Sequence, residues 1–483
     1  MKTFLKFLLA LILLFVVVIL INTIRFKSKQ LSVIGERRIV EIDTAAVRHL
    51  SEAIRIRTIS YDDNNLIDYT QFDSLYSFLE KTYPLTFQKL SHQRINDYSL
   101  LFHWKSSSDK LPIILYAHLD VVPVDSTTLA IWKYEPFAGA TDKLFIYGRG
   151  TIDDKGSVIA ILESIENLLK NNFTPSRDIY LAFGHDEEAT GINGAKEIAE
   201  QLLNEGVKAE FLLDEGGLIA VDMVPFVMPP VAMIATSEKG YMSVELSVKG
   251  SGGHSSFPPE NPPIEILANA IKKIHDNPFE RKSSESLNDF MEYAGPEMKL
   301  PFRAIFANRW LFRPIVFDEY EKIPSANAMI RTTSVATMIH GGVKENVVPS
   351  DVSAIINFRL LPGDNSYDVI EQVMQVINDV NVQVSIKGPV SEASNVSSVK
   401  SEGFILLQKT IKNVFPDVIV TPSLLIGQTD SRHFRKVTKN IFRFLPVRMD
   451  NGILDSMHGM DEKIGVKEFS ESVVFYRELI KSL

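Results

Sequence analysis

The first half of the chain is a succession of continuous apolar runs and helical patterns. Strand-like runs occupy residues 98–104, 111–117, 179–184 and 211–213, and helical periodicity covers residues 47–56, 67–81, 158–169 and 195–203. Apolar runs without polar alternation are typical of strands that are buried on both faces. Their alternation with helices predicts an α/β domain, built on a mostly parallel sheet with helices on both faces.

The pattern changes near residue 240. Residues 241–249 alternate apolar and polar side chains, as a half-exposed antiparallel strand does. Further strands are predicted at residues 352–360 and 382–386, and helices at residues 263–275, 367–380 and 403–414. Residues 279–339 are predicted to be long and irregular, with an apolar patch around Trp310. We therefore expect a small α+β module inserted into the first domain.

These patterns predict a domain organisation. It comprises an apolar segment at residues 4–24, a catalytic domain divided between residues 36–240 and 393–483, and the inserted module at residues 241–392.

The amino-terminal segment is long enough to cross a membrane. A spanning helix needs about 20 mostly apolar residues, and residues 4–24 meet that length if Lys6 extends toward the headgroups. A cleaved signal peptide is the alternative, but no small-x-small cleavage site precedes Arg25. We expect a single-pass anchor with an extracytoplasmic body, which would be secreted if the segment were cleaved. Basic residues lie on both sides of the segment and leave its orientation open.

The amino-acid composition excludes several classes of function and of metal site. The chain is 45% hydrophobic and 23% charged, which is typical of a globular protein. Its formal charge of −9 argues against nucleic acid as a partner. The sequence contains no cysteine, so disulfides and thiolate metal ligands are excluded. Any metal would have to be held by His, Asp and Glu.

Several side chains that can bind metals follow the predicted strands. They are His118, Asp120, Asp153, Glu187, Glu188 and Asp214, joined late in the chain by His458. Each alone has an ordinary structural explanation, such as a helix cap or a turn former. Because open α/β sheets place their chemistry at the carboxyl ends of strands, the set together predicts a metal site. Imidazole and carboxylate ligands favour zinc, with cobalt or manganese as alternatives.

This set suits two divalent cations, which need a bridging carboxylate and can share an activated water. Asp120 lies two residues after His118 and would accept the proton on the far imidazole nitrogen. A free carboxylate beside the site would take a proton from water and pass it to a leaving amine.

The ordered combination of motifs resembles the M20 metallopeptidases, which are two-zinc enzymes. The motifs are His118-x-Asp120, Gly150-x-x-Asp153-x-Lys-Gly156, Glu187-Glu188, Asp214 and the late His458. The resemblance covers roughly residue 45 to the end. The membrane segment and the long insertion make the chain most similar to the branch of carboxypeptidase S and the N-fatty-acyl-amino-acid hydrolases.

The resemblance implies a role for each motif residue. It places His118 and Asp214 on one zinc, Glu188 and His458 on the other, and Asp153 between the two. It makes Glu187 the general base and acid, and Asp120 the residue that orients His118.

The inserted module adds two segments that resemble the family's dimerisation and lid motifs. These are Gly250-Ser-Gly-Gly-His254-Ser-Ser-Phe-Pro258 and Gly342-Val-Lys-Glu-Asn346-Val-Val-Pro349. The resemblance implies a homodimer in which His254 of one lid stabilises the oxyanion in the partner's site. It also implies that Asn346, Arg359 and Arg432 bind substrate.

Three functions remain open at this point. The first is hydrolysis of an amide whose amine side is an amino acid with a free carboxylate, as in a carboxypeptidase or aminoacylase. The second is hydrolysis or synthesis of N-fatty-acyl amino acids, for which residues 223–234 and the aromatic patches near Trp310 would line an apolar channel. The third, of another class, is an inactive membrane-tethered binding protein, although all the implied ligands and the base are present.

Overall fold

The computed structural model describes residues 1–32 and 40–483, so the expected start of the catalytic domain at residue 36 lies outside the described residues. The helices are α1 (Lys2–Arg25), α2 (Thr44–Ile54), α3 (Tyr69–Thr82), α4 (Pro84–Lys89), α5 (Lys155–Lys170), α6 (Ala195–Asn204), α7 (Pro263–Asp276), α8 (Glu285–Ala294), α9 (Phe302–Ala307), α10 (Arg309–Glu321), α11 (Pro324–Ile330), α12 (Ser366–Ile377), α13 (Glu402–Val414), α14 (Asn451–Leu454) and α15 (Val466–Lys481).

The strands follow the same order along the chain. They are β1 (Ser91–Ile95), β2 (Ser99–Trp104), β3 (Ile113–His118), β4 (Phe145–Tyr147), β5 (Ile179–Gly184), β6 (Phe211–Asp214), β7 (Ile219–Ala220), β8 (Val231–Glu238), β9 (Gly240–Lys249), β10 (Gly253–His254), β11 (Thr333–Gly341), β12 (Val347–Val348), β13 (Asp351–Leu360), β14 (Val382–Ser391), β15 (Ile419–Leu425), β16 (Ile441–Arg443), β17 (Arg448–Met449) and β18 (Lys463–Gly465).

A large mixed sheet forms the body of the molecule. Its strand order is β1-β2-β5-β3-β6-β16-β8-β7-β17, with β15 paired to β8. The central strands β5, β3, β6 and β16 run parallel to one another, whereas β1 and β2 add antiparallel pairs at one edge. Every residue of β3, β5 and β6 is buried. Strands covered on both faces need apolar side chains on both, which explains their unbroken apolar runs.

Helices cover both faces of this sheet. On one face α5, α13 and α15 pack against the sheet in one large apolar core. On the other face Ile198 and Leu202 of α6 pack on the sheet with Phe434. Because β3, β5 and β6 are parallel neighbours, their carboxyl ends lie at one edge of the sheet. That arrangement brings His118, Glu188 and Asp214 to the same edge.

A second, smaller sheet has its own core. Its strands are antiparallel in the order β11-β13-β9-β14. Strand β13 alternates buried and partly buried positions along its length, as a sheet with one covered face requires. The buried positions, including Phe358 and Ile356, pack with α7 and α12. This region is therefore an antiparallel sheet with helices packed on one of its faces.

The prediction of an irregular segment at residues 279–339 is wrong. The segment folds into α8 to α11 and most of β11. These helices are short and are interrupted by Pro301, Pro314 and Pro324, so the apolar periodicity is broken at each proline. Their apolar side chains form a further cluster with Val231 and Ile419 of the large sheet. We refer to residues 285–330 as the helical insertion.

The apolar amino-terminal segment is a single long helix, α1, with a mean hydropathy of 3.3 and no buried residue. Its length and composition suffice to cross a membrane. The last turns of α1 lie against the helical insertion. Asn308, which is fully buried, accepts a hydrogen bond from Asn22 at 2.9 Å and donates to the carbonyl oxygen of Ile19 at 3.3 Å.

The two separate cores predict that the small sheet can be destabilised selectively. Phe358→Ala removes a fully buried ring, which costs about 3–5 kcal/mol in a packed core. Hydrogen exchange should become faster in β9 and β13 and stay unchanged in β3 and β5. Val343→Ala, at a residue that is 92% exposed, is the matched control. Equal loss of protection in both sheets would contradict the two-core description.

Candidate functional site

The last residue of β3, His118, is the centre of a buried cluster. Its Nδ1 lies 3.1 Å from the backbone oxygen of Asp120 and 3.3 Å from an Asp120 carboxylate oxygen. Its Nε2 faces the opposite way and lies 2.8 Å from Oδ1 of Asp153. The backbone N–H of His118 donates to Asp154 at 3.3 Å. The contacts at Nδ1 fix the ring so that Nε2 points into the site.

Asp153 lies between two imidazoles. Oδ1 faces His118, and Oδ2 lies 2.9 Å from Nε2 of His458. Each carboxylate oxygen therefore meets one histidine, which is the arrangement expected of a carboxylate that bridges two cations. The peptide bond between Asp153 and Asp154 is cis.

Glu188 completes the side of the cluster that contains His458. One of its oxygens lies 3.3 Å from His458 Nε2. The other, Oε1, is buried and has no hydrogen-bond partner among the described residues. A buried oxygen without a donor is costly, so this atom is available to a ligand. The structure thus brings His118, Asp153, Glu188 and His458 together in one cluster.

Asp120 links the two parts of the cluster. Besides the contact with His118, its carboxylate oxygens accept hydrogen bonds from the backbone N–H groups of Glu187 at 3.2 Å and Glu188 at 3.1 Å. Asp120 is fully buried. One side chain therefore orients the imidazole and fixes the backbone that carries the two glutamates.

The carboxylate of Asp214 does not face His118. Its oxygens accept hydrogen bonds from the backbone N–H groups of Glu215 at 2.9 Å and Ser431 at 3.1 Å. The next residue, Glu215, takes the position beside the imidazole, with Oε1 3.6 Å from His118 Nε2. Successive side chains at the end of a strand point in different directions. The structure therefore places Asp214 behind the cluster and Glu215 within it.

The loop that carries Asp153 is held by Glu462. This buried carboxylate accepts hydrogen bonds from the backbone N–H groups of Gly150 at 3.0 Å and Ile152 at 2.9 Å, and it pairs with Arg149 at 2.7 Å. Gly150 has a φ of +91°, and a Cβ there would lie 2.6 Å from Val121. Only glycine fits that turn without a shift of its neighbours.

Burial and mutual repulsion dominate the electrostatics of the carboxylates. Burial, followed by the charge of Asp430, raises the pKa of Glu187 well above its ordinary value. Burial, followed by the charge of Asp153, raises the pKa of Glu188 to about 7 and that of Glu215 well above normal.

For Asp153 and His458, hydrogen bonding between the charged groups outweighs burial. Burial alone would raise the pKa of Asp153, but hydrogen bonds from His118 and His458 lower it below its ordinary value. For His458, the hydrogen bond with Asp153, followed by that with Glu188, raises the pKa to about 10.

These residues fit a metal site. Carboxylates from three loops and two imidazoles converge, and ligand atoms of His118, Asp153 and Glu188 lie within 4.8 Å of one another. A second group of the same spacing contains His118, Asp154 and Glu215. Buried carboxylates in excess repel one another, and a divalent cation between them would replace that repulsion with attraction. The donor set has nitrogen and oxygen atoms, which suits zinc and its neighbours.

The lid residues lie on the small sheet and its connections. His254 is exposed on β10, where its Nδ1 accepts a hydrogen bond from the backbone N–H of Ser256 at 3.1 Å. β10 pairs with β12, and the backbone N–H of Ser255 donates to the backbone oxygen of Asn346 at 3.1 Å. No hydrogen bond or ion pair joins His254 or Asn346 to the cluster within the described part of the chain.

Arg359 also lies outside the cluster. Its guanidinium lies on β13, 4.9 Å above the ring of Tyr241, and burial lowers its pKa. The prediction that it binds substrate is neither supported nor contradicted by this contact.

Arg432 lies beside the loop after β5, which carries Glu187 and Glu188. It donates to the backbone oxygen of Thr190 at 2.6 Å and lies 3.5 Å from an Asp430 oxygen. Asp430 also accepts a hydrogen bond from Tyr116 at 2.6 Å. This network connects the loop after β5 to the loop after β15.

Sequence reasoning missed Glu215, Glu462 and Asp430. The sequence contains a signal for Glu215, because this residue directly follows an aspartate at the end of a predicted strand. Glu462 lies four residues after His458, but nothing in its neighbourhood indicates that it binds a loop more than three hundred positions earlier. Such a contact depends on the tertiary fold.

Known proteins share both the sequence and the fold. The model of peptidase family M20/M25/M40 matches residues 114–482. The chain is 41% identical to "Probable carboxypeptidase S-like 2" of Dictyostelium discoideum, over 96% of this chain and 91% of that protein. It is 37% identical to the N-fatty-acyl-amino acid synthase/hydrolase PM20D1 of Xenopus tropicalis, over 90% and 85% of the two chains.

A solved structure confirms the architecture. The M20 family metallo-carboxypeptidase Sso-CP2 from Sulfolobus solfataricus superposes with a TM-score of 0.68 at 20% identity, covering 91% of this chain and 99% of the other. The mixed α/β fold is therefore that of the M20 peptidases. The family match spans most of the chain and includes His118, Asp153, Glu187, Glu188 and His458. The chain belongs to peptidase family M20/M25/M40 and is an enzyme of its peptidase and amidohydrolase class.

Proposed function

We propose that this protein hydrolyses an amide bond whose amine side is an amino acid with a free carboxylate. The observation that carries the proposal is the position of Asp153, with one carboxylate oxygen 2.8 Å from His118 and the other 2.9 Å from His458. A carboxylate placed between two imidazoles in this way suits a pair of divalent cations, and we propose zinc. Bound there, such a pair polarises a carbonyl and makes water a better nucleophile.

The residues of the chain supply proton transfer and orientation. Glu187 accepts the proton of the attacking water and returns it to the leaving amine, so that its carboxyl group ends the cycle unchanged. Its backbone is held by Asp120, which also fixes the ring of His118. Glu462 holds the backbone of the loop that leads to Asp153, including the N–H of Asp153 itself. Asp120 and Glu462 are positioning residues, because they act through the groups that they hold.

We assign the fifth ligand position to Glu215. The proposed set is His118 and Glu215 on one cation, Glu188 and His458 on the other, and Asp153 on both. Glu215 lies 3.6 Å from His118, whereas the oxygens of Asp214 are engaged by backbone N–H groups. Asp214 then supports the loop that carries Glu215.

The small sheet is proposed to act as a lid and a dimer surface. His254 and Asn346 lie side by side on the connected strands β10 and β12. Because neither His254 nor Asn346 contacts the cluster of its own chain, these residues would have to reach the cluster from a second copy of the chain. The edge strand β11 carries exposed Val335, Met338 and Ile339, and apolar side chains on an unpaired edge favour pairing with another chain. His254 would then donate to the oxyanion across the dimer, and Arg359 and Arg432 would bind the substrate carboxylate.

We propose that α1 remains attached as a single-pass anchor. The contacts of Asn308 with α1 place polar groups of the two elements against each other. The segment after α1 is also bound, because the carboxamide of Gln30 exchanges two hydrogen bonds with the backbone of Val420 at 2.9 and 2.8 Å. A signal peptide that is cleaved off would not need contacts with the folded body of the protein. The catalytic body would lie on the extracytoplasmic side.

A second substrate class is N-fatty-acyl amino acids. It is favoured by the name of the relative that is 37% identical over 90% of this chain, and by a membrane helix that would hold the site near lipids. The apolar residues predicted to line a channel are divided. Val227, Val231 and Phe306 are buried in a packed cluster, whereas Phe226, Met228 and Trp310 are exposed.

The proton-transfer role predicts the behaviour of Glu187→Gln. The amide cannot accept a proton from water, so turnover should fall by about 10²–10⁴, while bound metal and melting temperature stay near wild type. Glu265→Gln, an exposed change on α7, is the control. Turnover within a few-fold of wild type would remove Glu187 from the mechanism. Wild-type protein without any amide hydrolysis would support a binding function instead.

The ligand assignment predicts a contrast between two neighbouring residues. Glu215→Gln should reduce bound zinc from two ions toward one per chain, because a neutral amide is a poor ligand. Asp214→Asn should retain both, because Asp214 is not a ligand in this assignment and its amide oxygen keeps one of the two backbone hydrogen bonds. Metal content is measured by mass spectrometry after dialysis, with circular dichroism as the check on folding. Loss of zinc in Asp214→Asn alone would return the ligand position to Asp214.

The substrate class is decided by comparing kcat/KM for three compounds. These are a glycine-led dipeptide, acetyl-phenylalanine and oleoyl-phenylalanine. If the site is of the carboxypeptidase or aminoacylase type, the first two are hydrolysed at least about tenfold better than the third, since a long chain without an apolar channel gains no binding energy. A clear preference for oleoyl-phenylalanine would establish the second class.

A further inference from the structure

A cavity of about 590 Å³ lies where α1 meets the helical insertion. One wall is the last turn of α1 and the residues that follow it, and the other is formed by α9 and the start of α10. Its charged lining residues are Arg25, Lys27, Lys29, Arg309 and Glu292. Four cations thus face one carboxylate among the described lining residues. The excess of positive charge favours an anionic ligand.

Arg309 is the group best placed to bind such a ligand. Its Nη2 lies 3.4 Å from Glu292, which also contacts Lys29. Its Nη1 is buried and has no hydrogen-bond partner among the described residues. A guanidinium N–H without a partner is unusual, because burying it costs free energy. The Arg309 side chain as a whole is 26% exposed and lines the cavity, and a guanidinium matches a phosphate in geometry.

A second cavity adjoins the first. It has a volume of about 280 Å³ and shares Arg309 and Trp310 with the first. The rest of its lining is mixed, with polar Ser283, Asn288 and Arg313 beside apolar Met291, Val316 and Phe317. Arg313 adds a further cation, so the positive lining extends into the second cavity.

The cavity lies at the end of the apolar helix. Trp310 is 61% exposed, and its ring packs edge-on against Phe15 of α1 with 5.8 Å between centroids. With α1 in a bilayer, Arg25 and Lys27 would lie at the level of the lipid phosphates.

We propose that this cavity binds the headgroup phosphate of an anionic phospholipid from the membrane that contains α1. The inference rests on the proposed anchor and is independent of the amide hydrolysis. Arg309 holds the phosphate, and Arg25 and Lys27 add attraction. Because α1 keeps the cavity beside the lipids, a modest intrinsic affinity is sufficient for occupancy. The bound lipid would fix the orientation of the catalytic body over the bilayer.

The test uses native mass spectrometry of the full-length protein. The protein is extracted in mild detergent and incubated with equimolar phosphatidylglycerol and phosphatidylcholine. We expect retention of one phosphatidylglycerol in preference to phosphatidylcholine, and a loss of about tenfold in its occupancy in Arg309→Gln, since a charged hydrogen bond is removed. Lys27→Gln, at an exposed residue, should weaken retention without a risk to folding. The matched control is Arg48→Gln on α2, whose side chain is 63% exposed and does not line the cavity.

Three results would overturn the proposal. One is equal retention of the two lipids, and another is unchanged retention in both cavity variants. The third is displacement of the lipid by an equal concentration of glycerol 1-phosphate, which would show a site for free phosphate. The intact mass reports separately whether α1 is present, and its absence would remove the anchor and this site together. Hydrolysis of amides is unaffected by any of these outcomes.

Discussion

The rest of the site depends on a concentration of buried negative charge at one edge of the large sheet. Asp153, Glu187, Glu188 and Glu215 are brought together by parallel strands that end at the same level and by a glycine turn. No fold gathers so many carboxylates without a compensating charge, because burial and repulsion each favour their neutral forms. In this chain, two imidazoles provide part of the compensation. Divalent cations bound between the carboxylates would provide the remainder.

The cluster keeps its geometry because a second set of side chains holds the loops. Asp120 binds both the ring of His118 and the backbone of the two glutamates. Glu462 binds the backbone around Asp153, and its own charge is balanced by Arg149. Neither residue needs to touch a substrate. Their effect is to give each strand-end side chain one position, as the proposed division of roles between Glu187 and Glu188 requires.

The sequence predicts four strands of the large sheet, β2, β3, β5 and β6, but it predicts neither the other strands, such as β8 and β15, nor the helical insertion. Strands such as β3 and β5 are continuous apolar runs, because both of their faces are buried, and this pattern depends only on local sequence. The helical insertion is different. Prolines such as Pro314 break its periodicity, and its helices are stabilised by contacts with distant residues such as Ile419. The same distinction applies to the site. His118 and Glu188 follow recognisable strands, whereas the choice between Asp214 and Glu215 depends on side-chain direction, which becomes visible only in three dimensions.

The central claim is that Asp153 bridges two cations. It is tested most directly by crystallography of the zinc-loaded wild-type protein with data collected on both sides of the zinc absorption edge. The account predicts two anomalous peaks, about 3.5–4 Å apart, each within bonding distance of a different oxygen of Asp153. One peak should also contact His118 and the other His458. A single peak, or two peaks that do not share Asp153, would contradict it.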